Sequence, residues 1–275
     1  MSLAWHDDHI RLARPQSVRD WVRVLWRGGT VGGLVYGSLA VLLLLRLIEK
    51  PLFGLSRPWT PHLAQWVCRL ALPMLGIGLL VRGKPMDKKG VVVANHSSWL
   101  DIFALNALQR VYFVSKSEVE GWVGLGWLAR ATGTVFIARK GTEAKVQQEL
   151  FENRLRAGHK LLFFPEGTST DAIRVLPFKS TLFAALFTHG LNQIVHVQPV
   201  TVLYHAPEGA DPRHFGWWGE MEFGAHLMAM LTARTQGHIE VIFHPPVGVD
   251  QFANRKDLAA YCEAAIRSAH SLART

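Results

Sequence analysis

Few stretches of this 275-residue chain combine residue types and spacing suited to proton transfer, and ANHSSWLDIF at 94–103 is one of them. His96 is the one histidine of thirteen with an aspartate, Asp101, five residues on. Residues five apart on a regular helix stand about 140° apart around the axis, so the pair would not face each other if both were helical. They meet if His96 lies in the turn ahead of a helix, with Ser97 or Ser98 as N-cap and Trp99 opening an apolar-periodic run. Asp101 then accepts a hydrogen bond from one imidazole nitrogen and leaves the other as a general base. The same spacing also suits a histidine that only caps a strand-to-helix turn, so the neighbouring loops must decide.

Two such loops follow other apolar runs. GTVFIARKG (133–141) brings Arg139 and Lys140 to a strand end, where paired cations suit a phosphate or other anionic head group. In FFPEGTSTD (163–171), Pro165 and Gly167 force a tight turn around Glu166, leaving a carboxylate and backbone N–H groups facing the space of His96. Together these groups fit acyl transfer. His96 takes a proton from an acceptor hydroxyl, the oxygen attacks a thioester carbonyl, and donors hold the oxyanion. No G-x-S-x-G elbow is present and neither Cys68 nor Cys262 lies near a histidine in sequence, so transfer is direct, without an enzyme nucleophile.

These loops need a scaffold that presents strand ends on one rim. From residue 83 onward, short β-like runs alternate with helical segments: VVVAN (91–95), VYFV (111–114), TVFI (134–137), KLLFF (160–164), IVHVQPVTVLY (194–204) and IEVIFHPPV (239–247). Helical patterns fall at 143–158 and 254–274. This order predicts an α/β domain, a mostly parallel sheet flanked by helices, with polar clusters at the carboxyl ends of strands.

The first 82 residues differ. Arg11, Arg14, Arg19, Arg23 and Arg27 precede an uncharged run at 28–45, just long enough to cross a bilayer core of about 30 Å. The arginines put the N-terminus in the cytoplasm. A second apolar stretch, 70–81, is short and interrupted, and reads as a re-entrant or interfacial helix. The expected organisation is a membrane-associated helical region at 1–82 and an α/β domain at 83–275, the boundary falling in the basic run RGKPMDKKG. A formal charge of +9, 49% hydrophobic residues and ten tryptophans indicate an anionic partner, and the apolar N-terminus favours a membrane over nucleic acid. Cys68 and Cys262, the two cysteines, share no short spacing and so suggest neither a disulfide framework nor a cysteine-based zinc site.

The motifs resemble those of the glycerolipid/lysophospholipid acyltransferase family, 1-acyl-sn-glycerol-3-phosphate acyltransferase-like. N-H-x-S-x-x-D is matched by Asn95, His96, Ser98 and Asp101, and G-x-x-F-I-x-R by Gly133, Phe136, Ile137 and Arg139. F-P-E-G-T falls at 164–168, and an apolar strand with Pro199 resembles a fourth motif, so the likeness covers about residues 91–204. The resemblance implies the glycerolipid acyltransferase fold behind a membrane-binding helical pair. It implies a catalytic dyad at His96 and Asp101, substrate binding by Arg139, Lys140, Glu166, Gly167 and Thr168, and no metal or cofactor. The co-substrate is an acyl carrier protein or coenzyme A thioester, and the acceptor is a membrane lysolipid.

One position departs from the pattern. Many phosphatidate-forming members continue F-P-E-G-T with arginine, and Ser169 stands here. That loss removes a bidentate phosphate contact, which Lys179 in LPFKS would replace. Arg139 favours 1-acyl-sn-glycerol-3-phosphate as acceptor, giving phosphatidic acid, and lyso-ornithine lipid is the alternative. A thioesterase using His96, or an inactive membrane scaffold, fits less well. The expected location is the cytoplasmic face of the inner membrane, held by the N-terminal anchor. GLLVRGK at 78–84 opens like a P-loop, but Pro85 replaces the magnesium-binding Ser or Thr. Histidines in HVQPVTVLYH and GHIEVIFH are expected to point variously and to bind no metal. Residues beyond Pro207, including Trp217 and Trp218, are expected to shape acceptor choice and membrane docking without touching the dyad.

Overall fold

GVVVA at 90–94 is buried at every position, as a strand is when helices cover both faces of its sheet. This strand, β2 (Gly90–Ala94), lies in the middle of the computed structural model, which describes residue 10 and residues 12–137, 144–188 and 190–272. The described elements run α1 (Val18–Phe53), α2 (Thr60–Leu75), β1 (Gly78–Arg82), β2, α3 (Leu100–Leu108), β3 (Tyr112–Lys116), α4 (Leu125–Thr132), β4 (Val135–Ile137), α5 (Ala144–Arg156) and β5 (Leu161–Phe163). Then come β6 (His196–His205), α6 (Phe223–Thr232), β7 (His238–Phe243), β8 (Val247–Gly248) and α7 (Arg255–Leu272).

The eight-stranded sheet has the order β1-β7-β6-β2-β5-β3-β4, with β8 paired to β6. Pairing is parallel except for β6 with β7 and β6 with β8. Alternation along β2 divides the core. Val92 and Ala94 join Leu72, Leu100 and Met230 on one face, and Val91 and Val93 join Phe151, Phe163 and Ile266 on the other. Strands β2 and β5 are adjacent and parallel, so the loops that follow them, at 95–99 and 164–171, leave the same edge of the sheet.

The expected α/β architecture and mostly parallel sheet are present. The segment 70–81, expected as one interfacial helix, is divided. Gly76 adopts φ +80° and accepts the end of α2, its N–H bonding the Leu72 and Pro73 carbonyls, after which β1 pairs with β7 at the sheet edge. The run 239–247 is also divided, because Pro245 and Pro246 cannot donate to a ladder.

Helix α1 opens on a capping box, Ser17 with Asp20, and extends well beyond the expected apolar run. By length and composition it can cross a membrane, and only 11% of its apolar window is buried. The helix nonetheless lies along the domain. The Arg23 and Arg27 guanidinium groups each donate at 2.6 Å to α6's C-terminal carbonyls, Thr232 and Ala233. Arg57, in the loop between α1 and α2, donates to Ala131 at the end of α4 (3.0 Å), and Arg69 of α2 donates to Ala107 at the end of α3 (2.8 Å). Helix C-termini carry unpaired carbonyls and partial negative charge, so four arginines fasten the hairpin to three helices of the domain.

Glu49 closes the hairpin itself. It is fully buried, and its carboxylate accepts from the Trp59 and Thr60 N–H groups (2.7 and 3.0 Å), the Thr60 hydroxyl (2.6 Å) and Arg46 (2.9 Å). Replacing Glu49 with Ala strands these donors in a buried setting. The expected cost is about 3 kcal/mol, read as a lowered unfolding midpoint in detergent. An unchanged midpoint would show that the carboxylate does not hold α1 to α2.

Candidate active site

The site begins where β2 ends. Asn95 turns its side chain to β6, donating to the Val202 carbonyl (2.9 Å) and accepting from the Val202 N–H (2.7 Å). That exchange fixes the end of β2 against its neighbour, and the chain then turns through His96, Ser97 and Ser98 into α3. Asp101, in the first turn of α3, has no exposed surface. One carboxylate oxygen accepts from His96 Nδ1 (2.7 Å), Ser97 N (2.8 Å) and Ser98 N (3.0 Å), and the other accepts from the Tyr204 hydroxyl (2.6 Å).

Charge-assisted bonds to a buried carboxylate are strong, and four donors leave it one orientation. With Asp101 as acceptor, Nδ1 carries the imidazole proton and Nε2 presents a lone pair. The imidazole is partly exposed and stacks on Phe164 at 4.1 Å between ring centres. Burial and the neighbouring Asp101 hold the Tyr204 hydroxyl well above the usual tyrosine range, so it stays a donor. The serine N-cap expected from sequence is not what forms. α3 has no side-chain cap bond, and the Asp101 carboxylate, a stronger acceptor than a hydroxyl, takes the serine N–H groups.

Glu166 stands behind His96. Its oxygens accept from the His96 N–H (2.7 Å) and the Leu176 N–H (2.6 Å), and it is almost wholly buried, so it braces the backbone of the histidine and does not open toward solvent. Burial pushes its carboxyl up to about 8 against those two hydrogen bonds. Gly167 turns the chain at φ +73°, where an added Cβ would come within 2.8 Å of the Lys179 amine. Thr168 and Lys179 are exposed on this turn, and the Lys179 N–H bonds the Pro165 carbonyl (2.9 Å). Thr170 continues the loop by donating its N–H to the His96 carbonyl (2.9 Å). Arg139 and Lys140 lie outside the described residues.

The structure thus brings together His96, Asp101, Glu166 and, one turn away, Gly167 with Lys179. Three contacts were not foreseen. Tyr204 is the penultimate residue of the apolar strand β6, and only the β2–β6 register, Ala94 opposite Val200, brings it to Asp101. Trp217 donates its backbone N–H to the Ser97 carbonyl (2.9 Å), and the Trp99 indole donates to His226 Nδ1 (2.9 Å). Burial lowers His226 to about 4, keeping the imidazole neutral and able to accept. Residues beyond Pro207 therefore bond the neighbours of the dyad, Ser97 and Trp99, and not His96 or Asp101 themselves. Trp218 is buried. His205 and His238, expected to point variously, stack at 4.3 Å, and among the described residues no group of three or more His, Cys, Asp or Glu is placed to hold a metal ion.

A family model described as Acyltransferase matches residues 80–203. Over 264 residues the chain is 56% identical to the lyso-ornithine lipid O-acyltransferase of Rhodobacter capsulatus, with 96% of each chain covered. It is 35% identical to the protein of the same name in Brucella abortus, covering 86% of this chain and 92% of that one. The 1-acyl-sn-glycerol-3-phosphate acyltransferase of Neisseria gonorrhoeae is 40% identical, but over 143 residues, 50% of this chain and 54% of that one. The fold matches the crystal structure of the 1-acyl-sn-glycerophosphate acyltransferase PlsC from Thermotoga maritima with a TM-score of 0.66, at 21% identity, covering 94% of this chain and 97% of that one.

The raised Glu166 carboxyl has a measurable sign. In the folded chain it keeps its proton up to about pH 8, whereas unfolded it releases near 4.5, so between these values folding binds a proton. Stability from this group is present at the acid end of the window and is lost as pH rises through it. Unfolding free energies measured across the window should show that decline, and E166Q should remove it. An identical slope in both proteins would show that Glu166 is ionised throughout.

Proposed function

This chain belongs to the acyltransferase family and is an acyltransferase of lysolipids; from that premise we propose that its acceptor is lyso-ornithine lipid. Supporting this choice is the extent of sequence likeness: the sequence relatives named for that acceptor align with nearly the whole chain, whereas the sequence relatives named for 1-acyl-sn-glycerol-3-phosphate align with about half, and the structural match to PlsC, at 21% identity, speaks for the fold alone. This shifts the weight from 1-acyl-sn-glycerol-3-phosphate, the acceptor first favoured, to its alternative. Ser169 is consistent with the shift, because a serine in place of the guanidinium offers no bidentate contact to phosphate.

In the proposed reaction His96 Nε2 accepts the proton of the acceptor hydroxyl as its oxygen attacks the thioester carbonyl. Asp101 and Tyr204 hold the imidazole in the tautomer and direction this requires, and Asp101 stabilises the imidazolium that forms. Collapse of the tetrahedral intermediate expels the thiolate, which takes up the proton from His96, and the ester is released. Glu166 acts as a positioning residue through the His96 backbone, while Gly167, Thr168, Lys179 and the Arg139–Lys140 pair form the acceptor side. The donor is an acyl carrier protein or coenzyme A thioester. The α1–α2 hairpin seats the enzyme on the membrane, at the cytoplasmic face of the inner membrane.

Purified protein given labelled acyl carrier protein or acyl-coenzyme A donors, with lyso-ornithine lipid, 1-acyl-sn-glycerol-3-phosphate and other lysolipids in parallel, tests this reading. Lyso-ornithine lipid should be acylated at least about tenfold faster than any other acceptor, a difference of about 1.4 kcal/mol. Equal or greater conversion of the phosphate-bearing acceptor would overturn the assignment, and label in free fatty acid would make the protein a hydrolase.

His96→Ala should lower turnover by about a thousandfold with folding and vesicle binding intact. Tyr204→Phe should lower kcat and leave KM for the acceptor unchanged, since it alters only the carboxylate that aims the base. A near-normal rate in His96→Ala would end the general-base mechanism.

A further inference from the structure

From the end of the 3-10 turn Ser117–Gly121 into the first turn of α4, the chain reads GWVGLGW at 121–127 and turns three large apolar side chains outward. Val123 is 85% exposed, Trp127 53% and Trp122 40%. Adjacent apolar exposure at a loop tip marks an interaction surface. On one side the tip meets the anchor helix: the Tyr36 hydroxyl of α1 comes within 2.6 Å of where a Cβ on Gly124 would stand. Helix α1 carries its own outward apolar face, including Leu25, Trp26 and Leu44, so the tip stands against an element already suited to lipid.

On the other side the tip reaches the active site. Trp122 packs edge-on against Trp217 at 6.1 Å, and Trp217 makes the backbone bond to Ser97 in the dyad loop. The aromatic row continues through Phe223 to Trp99. One short segment thus links the anchor helix to the loop bearing the proposed base.

We propose that residues 121–127 are a second bilayer contact, entering the interfacial layer beside α1, and that the lysolipid passes from the leaflet to His96 along this tip. The chemistry fits a lipid surface. Two tryptophans flank a valine apex, as suits the boundary between head groups and acyl chains. The proposal rests on the membrane-acting lysolipid acyltransferase read above, but it concerns a surface that this reading does not use.

Two measurements on the full chain test it. A polarity-sensitive fluorophore on Val123→Cys, Cys68 and Cys262 being buried, should shift to the blue on vesicles of phosphatidylethanolamine and phosphatidylglycerol and be quenched by lipids brominated near the head group. The same label on Glu208→Cys should do neither. The variants V123E and W127E should acylate vesicle-embedded acceptor about tenfold more slowly and stay within about twofold of wild type on acceptor in detergent micelles.

A label at 123 that stays water-like while the chain is vesicle-bound overturns the proposal, as does equal loss on vesicles and micelles or loss on neither. A blue shift without lipid quenching, accompanied by a dimer in solution, assigns the tip to a second copy and overturns it too. Failure of wild type to acylate any lysolipid would instead strike the proposed function, and the fluorophore result would stand apart from it.

Discussion

A carboxylate with no exposed surface must find its partners inside the protein, and Asp101 finds four. They come from the turn after β2 and from the end of β6, so satisfying one buried charge requires both strands to lie side by side and in register. An ionised group left short of partners in such a place costs several kcal/mol. Asn95 ties the same two strands with its own pair of bonds just before the turn, so the imidazole is aimed by groups that also hold the sheet together. The direction of His96 is in this sense a property of strand order.

Much of this was legible in the chain. The apolar runs at 91–95 and 160–164 fall on strands, the polar loops follow them, and a histidine placed ahead of a helix does meet an acid in its first turn. What could not be read depends on distant pairings. Tyr204 is an ordinary aromatic at the end of an apolar run until register sets it beside Asp101. Glu166 looks like an open acid on a tight turn, and only the packing of 170–176 over it reveals a buried brace. The edge strand β1 hid within an apolar stretch whose length suggested a helix, because helix and strand cannot be told apart in short apolar runs by periodicity alone. Helix α6 carries no strong start or stop signal, and its role appears only through His226 and its terminal carbonyls.

The basic N-terminus carries a related lesson. A row of arginines before an apolar helix is legible as a topology signal, and Arg23 and Arg27 could be counted as charges facing anionic lipid. In the folded chain both are spent on the carbonyls that end α6. Net charge states only the excess of cations over acids, while helix termini decide which cations remain available to a partner.

Those two arginines also set an order of assembly. Arg23 bonds a carbonyl 209 residues further along, so the anchor helix leaves the ribosome long before the helix end that receives it has been made. Until then Arg23 has only Asp20, one turn back in the same helix, as its partner. Final docking of α1 waits on the last quarter of the chain, after His96, Asp101 and Tyr204 have all been made.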